Sequence, residues 1–183
     1  MNFKLLKNID KNWTLFLDRD GVVNEEKQED YIHNWDEFKF IKGSKESFKV
    51  FNEKFGTIIM VSNQRGIAKG VTKIEDVHLI HKNMLQEIEK AGGSLDKIYF
   101  CPDMNGPKRK PNPGMGLQAM KDFKHIDLKK SLMVGNTFSD MEFGRNLGTT
   151  LNIYIGNAVS IPLVKKQLVD LVFPDLESFS KSL

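Results

Sequence analysis

Phe16-Leu17-Asp18-Arg19-Asp20-Gly21-Val22-Val23-Asn24 joins the end of an apolar run to two carboxylates, two residues apart, and then to a glycine. The run from Trp13 to Leu17 has the length and composition of a buried strand. Gly21 permits a sharp turn. Asp18 and Asp20 therefore belong at the carboxyl end of a strand, where open α/β sheets bind their ligands. Two anions that close repel unless a cation or a shared proton compensates, and a hard divalent cation such as Mg²⁺ prefers carboxylate oxygens. Taken alone, the Asp-Gly pair also fits an ordinary turn.

The same arrangement recurs along the chain. Thr57 to Val61 is a second apolar, β-branched strand, and it runs into Ser62-Asn63-Gln64-Arg65-Gly66. A hydroxyl and an amide before a glycine turn supply donors for a phosphate oxygen. Ile98 to Cys101 is a third strand, feeding a polar loop from Pro102 to Pro113 that carries Lys108-Arg109-Lys110-Pro111. Cations so placed neutralise a phosphate and its attacking carboxylate. Leu132 to Val134 is a fourth strand, followed by Gly135-Asn136-Thr137-Phe138-Ser139-Asp140. Thr149 to Ile155 is a fifth, and Leu171 to Phe173 a short sixth. Each cluster has a bland reading as a turn or a solvated loop. Four of them after four separate strands point to one shared edge.

Helical patterns fill the intervals. Ser44 is a good N-cap for a helix whose Phe48, Phe51 and Phe55 form a core stripe. Residues 73–91 carry Val77, Ile80, Met84, Leu85 and Ile88 at helical spacing, and Gly92-Gly93 ends that helix. His78 and His81 on it read as solvated. Pro113 starts a further helix at its favoured first position, with Met115, Leu117 or Gln118, Met120 and Phe123 buried. Asp175 to Leu183 is a closing helix. Residues 1–12 form a lead-in, and residues 24–37 form a loop over the site in which His33 is either a substrate contact or a surface histidine. Strands alternating with helices imply a mostly parallel α/β sheet with helices on both faces, in one domain spanning residues 1–183.

Composition narrows the class. The chain has 183 residues, 40% hydrophobic and 28% charged, with a net charge of +3. That charge is too small to argue for nucleic acid. The lone Cys101 excludes an internal disulfide framework and a multi-cysteine zinc site. No apolar run reaches membrane-spanning length, and the first residues lack the apolar stretch of a signal peptide, so a cytoplasmic protein without a membrane partner is expected.

Asp18-Arg19-Asp20-Gly21-Val22-Val23-Asn24, the stretch Ser62 to Gly70, Arg109-Lys110-Pro111-Asn112-Pro113-Gly114-Met115, and Gly135-Asn136 with Asp140 resemble the four motifs of the haloacid dehalogenase superfamily. They are most similar to the branch that holds heptose-bisphosphate and histidinol-phosphate phosphatases. The resemblance spans roughly residues 13–155 and implies a Rossmann-like fold with no large cap domain. It implies Asp18 as the nucleophile, forming an aspartyl-phosphate, and Asp20 as the acid and then base. It places Ser62, Asn63, Gln64 and Arg65 at the phosphoryl group or substrate. Lys110 then offsets charge and Arg109 reaches the substrate. Mg²⁺ is implied at Asp18, the backbone carbonyl of Asp20, and Asn136 or Asp140.

Three departures from the family pattern carry expectations. Asn136 stands where an aspartate is usual, so an amide replaces one unit of charge beside the cation, with Asp140 close enough in sequence to compensate. Thr137 stands in place of a lysine. The loop before Arg109 lacks the cysteines and histidine that hold zinc in relatives, so no zinc is expected. The implied activity is Mg²⁺-dependent hydrolysis of a small phosphorylated metabolite, foremost a heptose bisphosphate or related sugar phosphate. Histidinol phosphate is the alternative substrate, and a weakly active regulator that binds a phosphorylated ligand is the alternative from another class. A monomer or weak dimer is expected.

Overall fold

A computed structural model describes residues 2–183. Its core is a six-stranded sheet in the order β3-β2-β1-β4-β5-β6. The strands are β1 (Thr14–Leu17), β2 (Thr57–Asn63), β3 (Lys97–Cys101), β4 (Ser131–Gly135), β5 (Leu151–Ile155) and β6 (Leu171–Phe173). Every pairing is parallel. The helices are α1 (Asn2–Leu6), α2 (Ser44–Lys54), α3 (Ile74–Lys90), α4 (Gly114–Asp122), α5 (Phe138–Leu147) and α6 (Leu176–Ser180).

Because side chains alternate along a strand, β1 feeds two separate cores. Leu15 and Leu17 pack with Phe48 and Phe51 of α2, Ile80 and Met84 of α3 and Phe179 of α6. Phe16 packs on the other face with Met115 and Ala119 of α4 and Phe143 and Leu147 of α5. The helices thus cover both faces, as expected. Phe51 sits 5.6 Å from Phe179 and 5.8 Å from Phe48, ring centre to ring centre, and so joins α2 to α6.

The strand order positions the site. β1 has β2 on one side and β4 on the other, so the chain leaves the central pair in opposite directions. A crevice opens at the carboxyl ends of β1 and β4, where ligands bind in such sheets. Asp18 follows β1 directly, and its N–H donates to Val134 O at 2.9 Å.

Several local expectations differ from the structure. Residues 1–12 include the short helix α1, where a lead-in was expected; Met1 lies outside the described residues. Ser44 does not cap α2. Gly43 does, with φ +75°, and Ser44 lies inside the first turn with its hydroxyl donating to Val23 O at 2.6 Å. A tertiary acceptor therefore outcompetes the local cap. Pro113 is the N-cap of α4 rather than its first residue. Leu117 faces out, 47% exposed, because Gly116 and Ala119 turn the buried face of α4 one residue away from it. The closing helix α6 ends at Ser180. Helix α5 carried no sequence expectation of its own. No helix among the described residues is long and apolar enough to cross a membrane.

Phe51→Ala should lower the unfolding free energy by about 3–5 kcal/mol, the usual penalty for emptying a buried aromatic site. Leu117→Ser should change it by only about 0.5 kcal/mol. Urea denaturation of the two variants checks both.

Candidate active site

Lys110 is the residue on which the crevice converges. It lies in the loop after β3, and Asn63 at the end of β2 clasps its backbone. Asn63 Oδ1 accepts the Lys110 N–H at 3.0 Å, and Asn63 Nδ2 donates to Lys110 O at 3.1 Å. The side chain then runs inward and is 3% exposed. Its Nζ donates to Val61 O at 2.7 Å and lies 2.8 Å from Asp18 Oδ1 and 2.6 Å from Asp140 Oδ1. An ammonium has three N–H donors, and here each has a partner from a different segment.

Asp140 is held by the start of α5. Its Oδ2 accepts from Thr137 N at 3.0 Å and from Thr137 Oγ1 at 2.7 Å, while Thr137 Oγ1 accepts the Asp140 N–H at 3.3 Å. This is a reciprocal capping box. Gly135 makes it fit, because a Cβ there would stand 2.3 Å from Asp140 Cβ. Both Asp140 oxygens are therefore engaged, one by the cap and one by Lys110. These contacts fit a positioning role for Asp140, which is also an expected cation ligand. Thr137, expected only as a missing lysine, supplies the cap.

Burial and the neighbouring Asp140 charge push the Asp18 carboxyl up to about 7, even with Lys110 beside it. Burial alone would lower the Lys110 ammonium, but Asp140 and Asp18 outweigh it and raise its pKa. One cation thus serves two buried carboxylates, and the site is short of positive charge.

Asp20 has a different environment. Its side chain is 27% exposed towards the cleft. Arg19 Nη2 donates to Asp20 Oδ1 at 2.8 Å, Asn24 Nδ2 donates to Oδ1 at 3.0 Å, and Gln64 Nε2 donates to Oδ2 at 2.8 Å. Desolvation pushes the Asp20 carboxyl up, but the Arg19 charge and these donors together hold it below the usual range. Gln64, expected at the substrate, lines a pocket with Asp20, Arg65 and Arg109 and also links Asp20 to the interior. Its Nε2 also donates to Ser62 Oγ at 2.8 Å, and its Oε1 accepts from Arg19 Nη2 at 3.2 Å. Ser62 is fully buried behind Gln64 and does not line the cleft.

Arg19 was not singled out in the sequence, yet it is 1% exposed and organises Asp20. Its Nη1 lies 3.1 Å from His81 Nε2. A guanidinium only donates, so Nε2 accepts and His81 is neutral. Burial, then the Arg19 charge, lowers its pKa from 6.5 to about 3. The expectation that His81 is solvated fails, because Arg19 needs a buried acceptor. His78 remains exposed, as expected. His33 hydrogen-bonds with Val71 O and Asp30 and does not line the cleft.

Asn63, Arg65, Arg109 and Lys110 line the cleft together with Asp18 and Asp20. Arg65 is exposed and stands 5.8 Å above the Tyr31 ring. Arg109 is half-buried and donates to Asp103 O at 3.2 Å. Glu26 also lines the cleft. Nothing in its spacing marked it beyond membership of the loop expected over the site. The fold brings it in because Asn24 bridges to both Asp20 and Phe40.

Among the described residues, no three His, Cys, Asp or Glu side chains gather into a group able to hold a metal. The donor set for a cation is instead a mixed one. Asn136 packs on Gly21, where a Cβ would come within 2.0 Å of Asn136 Nδ2. Its Oδ1 is buried and has no hydrogen-bond partner. An unpartnered buried carbonyl oxygen beside the Asp18–Gly21 turn, in a site short of positive charge, fits a hard cation.

The Polynucleotide kinase 3 phosphatase family matches residues 13–166. The chain belongs to the haloacid dehalogenase phosphatases. A D-glycero-alpha-D-manno-heptose-1,7-bisphosphate 7-phosphatase from Campylobacter jejuni is 37% identical over 158 residues, covering 86% of this chain and 87% of the relative. The protein of that name from Mycobacterium bovis is 32% identical over 155 residues, covering 81% and 82%. Among solved structures, a D,D-heptose 1,7-bisphosphate phosphatase from B. bronchiseptica, complexed with magnesium and phosphate, superposes with a TM-score of 0.80 at 25% identity. It covers 92% of this chain and 96% of that one.

His81 gives a pH test. Its folded pKa lies below its unfolded value, so the unfolded chain binds more protons between the two, and this residue's contribution is lost as pH falls from 6.5 towards about 3. His81→Gln keeps an acceptor for Arg19 and cannot be protonated. Denaturation midpoints followed across that range should therefore fall less steeply for the variant than for the native chain.

Proposed function

We propose that this protein hydrolyses a phosphomonoester through an aspartyl-phosphate on Asp18, and that its substrate is D-glycero-D-manno-heptose 1,7-bisphosphate, cleaved at position 7. The observation that carries this reading is the buried chain Asp18–Lys110–Asp140, set beside a cleft that also receives Asp20. The names of the relatives support the substrate.

Asp18 Oδ, Asn136 Oδ1 and the backbone carbonyl of Asp20 are the groups that would hold Mg²⁺. When bound, the ion supplies positive charge that keeps Asp18 ionised and draws in the phosphoryl oxygens. The remaining work belongs to the side chains. A carboxylate oxygen of Asp18 attacks phosphorus, and the bond from phosphorus to the sugar oxygen breaks. Asp20 gives its proton to the departing oxygen. An anionic phosphoryl group entering the cleft raises the Asp20 pKa from its depressed resting value and so favours the protonated form needed for that step. Asp20 then takes a proton from water, whose oxygen attacks the same phosphorus, freeing phosphate and the Asp18 carboxylate.

Lys110 offsets the charge of Asp18 and of the transferring group. Arg65 and Arg109 bind the anionic remainder of the substrate. Asn63 acts by fixing Lys110, and Gln64 with Arg19 acts by fixing Asp20.

Phosphate release is the test, measured on the heptose bisphosphate and on histidinol phosphate, with Mg²⁺ and with excess chelator. Release from the heptose bisphosphate is expected to be the faster, and chelator should abolish it. Asp18→Asn should reduce the rate by roughly three orders of magnitude or more, as loss of a nucleophile does. Preference for histidinol phosphate would overturn the substrate, and an Asp18→Asn protein that turns over at the native rate would overturn the mechanism.

A further inference from the structure

We propose that Glu26 is a positioning residue of the cation site, fixing the Asn136 amide with its oxygen free for the cation and returning the negative charge that an amide lacks. This rests on the cation site proposed above.

The two ends of an asparagine amide have nearly the same shape, and only their partners decide which end points where. A carboxylate accepts and does not donate. Glu26 Oε1 lies 3.2 Å from Asn136 Nδ2, so Glu26 selects the NH₂ end. The oxygen is then the end left over, and it is the one that is buried without a partner. Reversing the amide would set two acceptors against each other at Glu26 and offer the cation an NH₂ group. An aspartate at position 136 would need no such orientation, since its two ends are alike.

Charge argues the same way. Glu26 shares the cleft with Asp18 and Asp20. The nearest lysine in its own loop, Lys27, is committed elsewhere, at 2.8 Å from Glu37 and 3.6 Å from Asp30. The one hydrogen bond that Glu26 makes among the described residues is the one to Asn136. Arg65 and Arg109 line the same cleft, but Glu26 forms no ion pair with either among the described residues, and a carboxylate on the wall of a phosphate cleft repels the ligand. It becomes favourable once a divalent cation is present, because the cation then has a further anion nearby.

The experiment is calorimetric titration of Mg²⁺ alone, without substrate, into the native protein, Glu26→Gln, Asn136→Asp and the double variant, with thermal melts confirming that each is folded. Glu26→Gln removes the charge and, having an NH₂ end as well as an oxygen, no longer selects one end of the Asn136 amide, so Mg²⁺ binding should weaken by roughly tenfold, in the range typical of groups that orient a metal ligand. In the Asn136→Asp background that loss should vanish or reverse. The carboxylate introduced at position 136 cannot donate to Glu26 and is repelled by it, so adding Glu26→Gln should strengthen binding or leave it unchanged. Native affinity in Glu26→Gln, or an equal loss in both backgrounds, would overturn the inference. The cation site itself would still stand if Asp18→Asn abolished binding. A native protein with no saturable Mg²⁺ binding would overturn both.

Discussion

The Lys110 ammonium occupies a place where a lone charge would be intolerable, and it is stable there because three acceptors from three segments surround it. Val61 O comes from β2, Asp18 from the end of β1 and Asp140 from the first turn of α5. Withdraw any one and a buried charge or a buried donor is left open. The arrangement therefore ties the carboxyl ends of β1 and β2 to the amino end of α5. The smaller features follow from that requirement: the Asn63 clasp, the Thr137 cap and the absent side chain at Gly135.

The two aspartates, only two residues apart, live in different electrostatic worlds. Asp18 is buried beside Asp140, and its pKa is pushed upward; Asp20 is gripped by Arg19, Asn24 and Gln64, and its pKa is pulled downward. Pairs of titratable groups driven apart by their surroundings mark the division of labour between nucleophile and proton carrier. In the proposed reaction that division rests on a support layer behind the cleft, in which neutral His81 accepts from Arg19, and Arg19 in turn fixes Asp20.

Much of this was legible in the sequence because strand ends are punctuated. Apolar runs marked all six strands and the parallel sheet, and the polar clusters after four of them marked the meeting of Asp18, Asp20, Asn63 and Lys110. What was not legible depends on partners far along the chain. His81 looks solvated until Arg19 is found beneath it. Ser44 looks like a cap until Val23 O offers a better acceptor. Asp140 looks like a free carboxylate until Lys110 and Thr137 take both oxygens. Glu26 looks like loop charge until Asn24 folds the loop back. In each case a long-range hydrogen bond overrode a sound local preference, and neither composition nor periodicity carries that information.

The proposed reaction depends most directly on an Asp18 carboxylate oxygen accepting the phosphoryl group. The native protein, mixed with substrate and Mg²⁺ and quenched in acid within one turnover, should carry a single phosphoryl group. Peptide mass spectrometry should place that group on Asp18. A quenched protein with no covalent phosphoryl group while phosphate is still released, or with the group on another side chain, would contradict it.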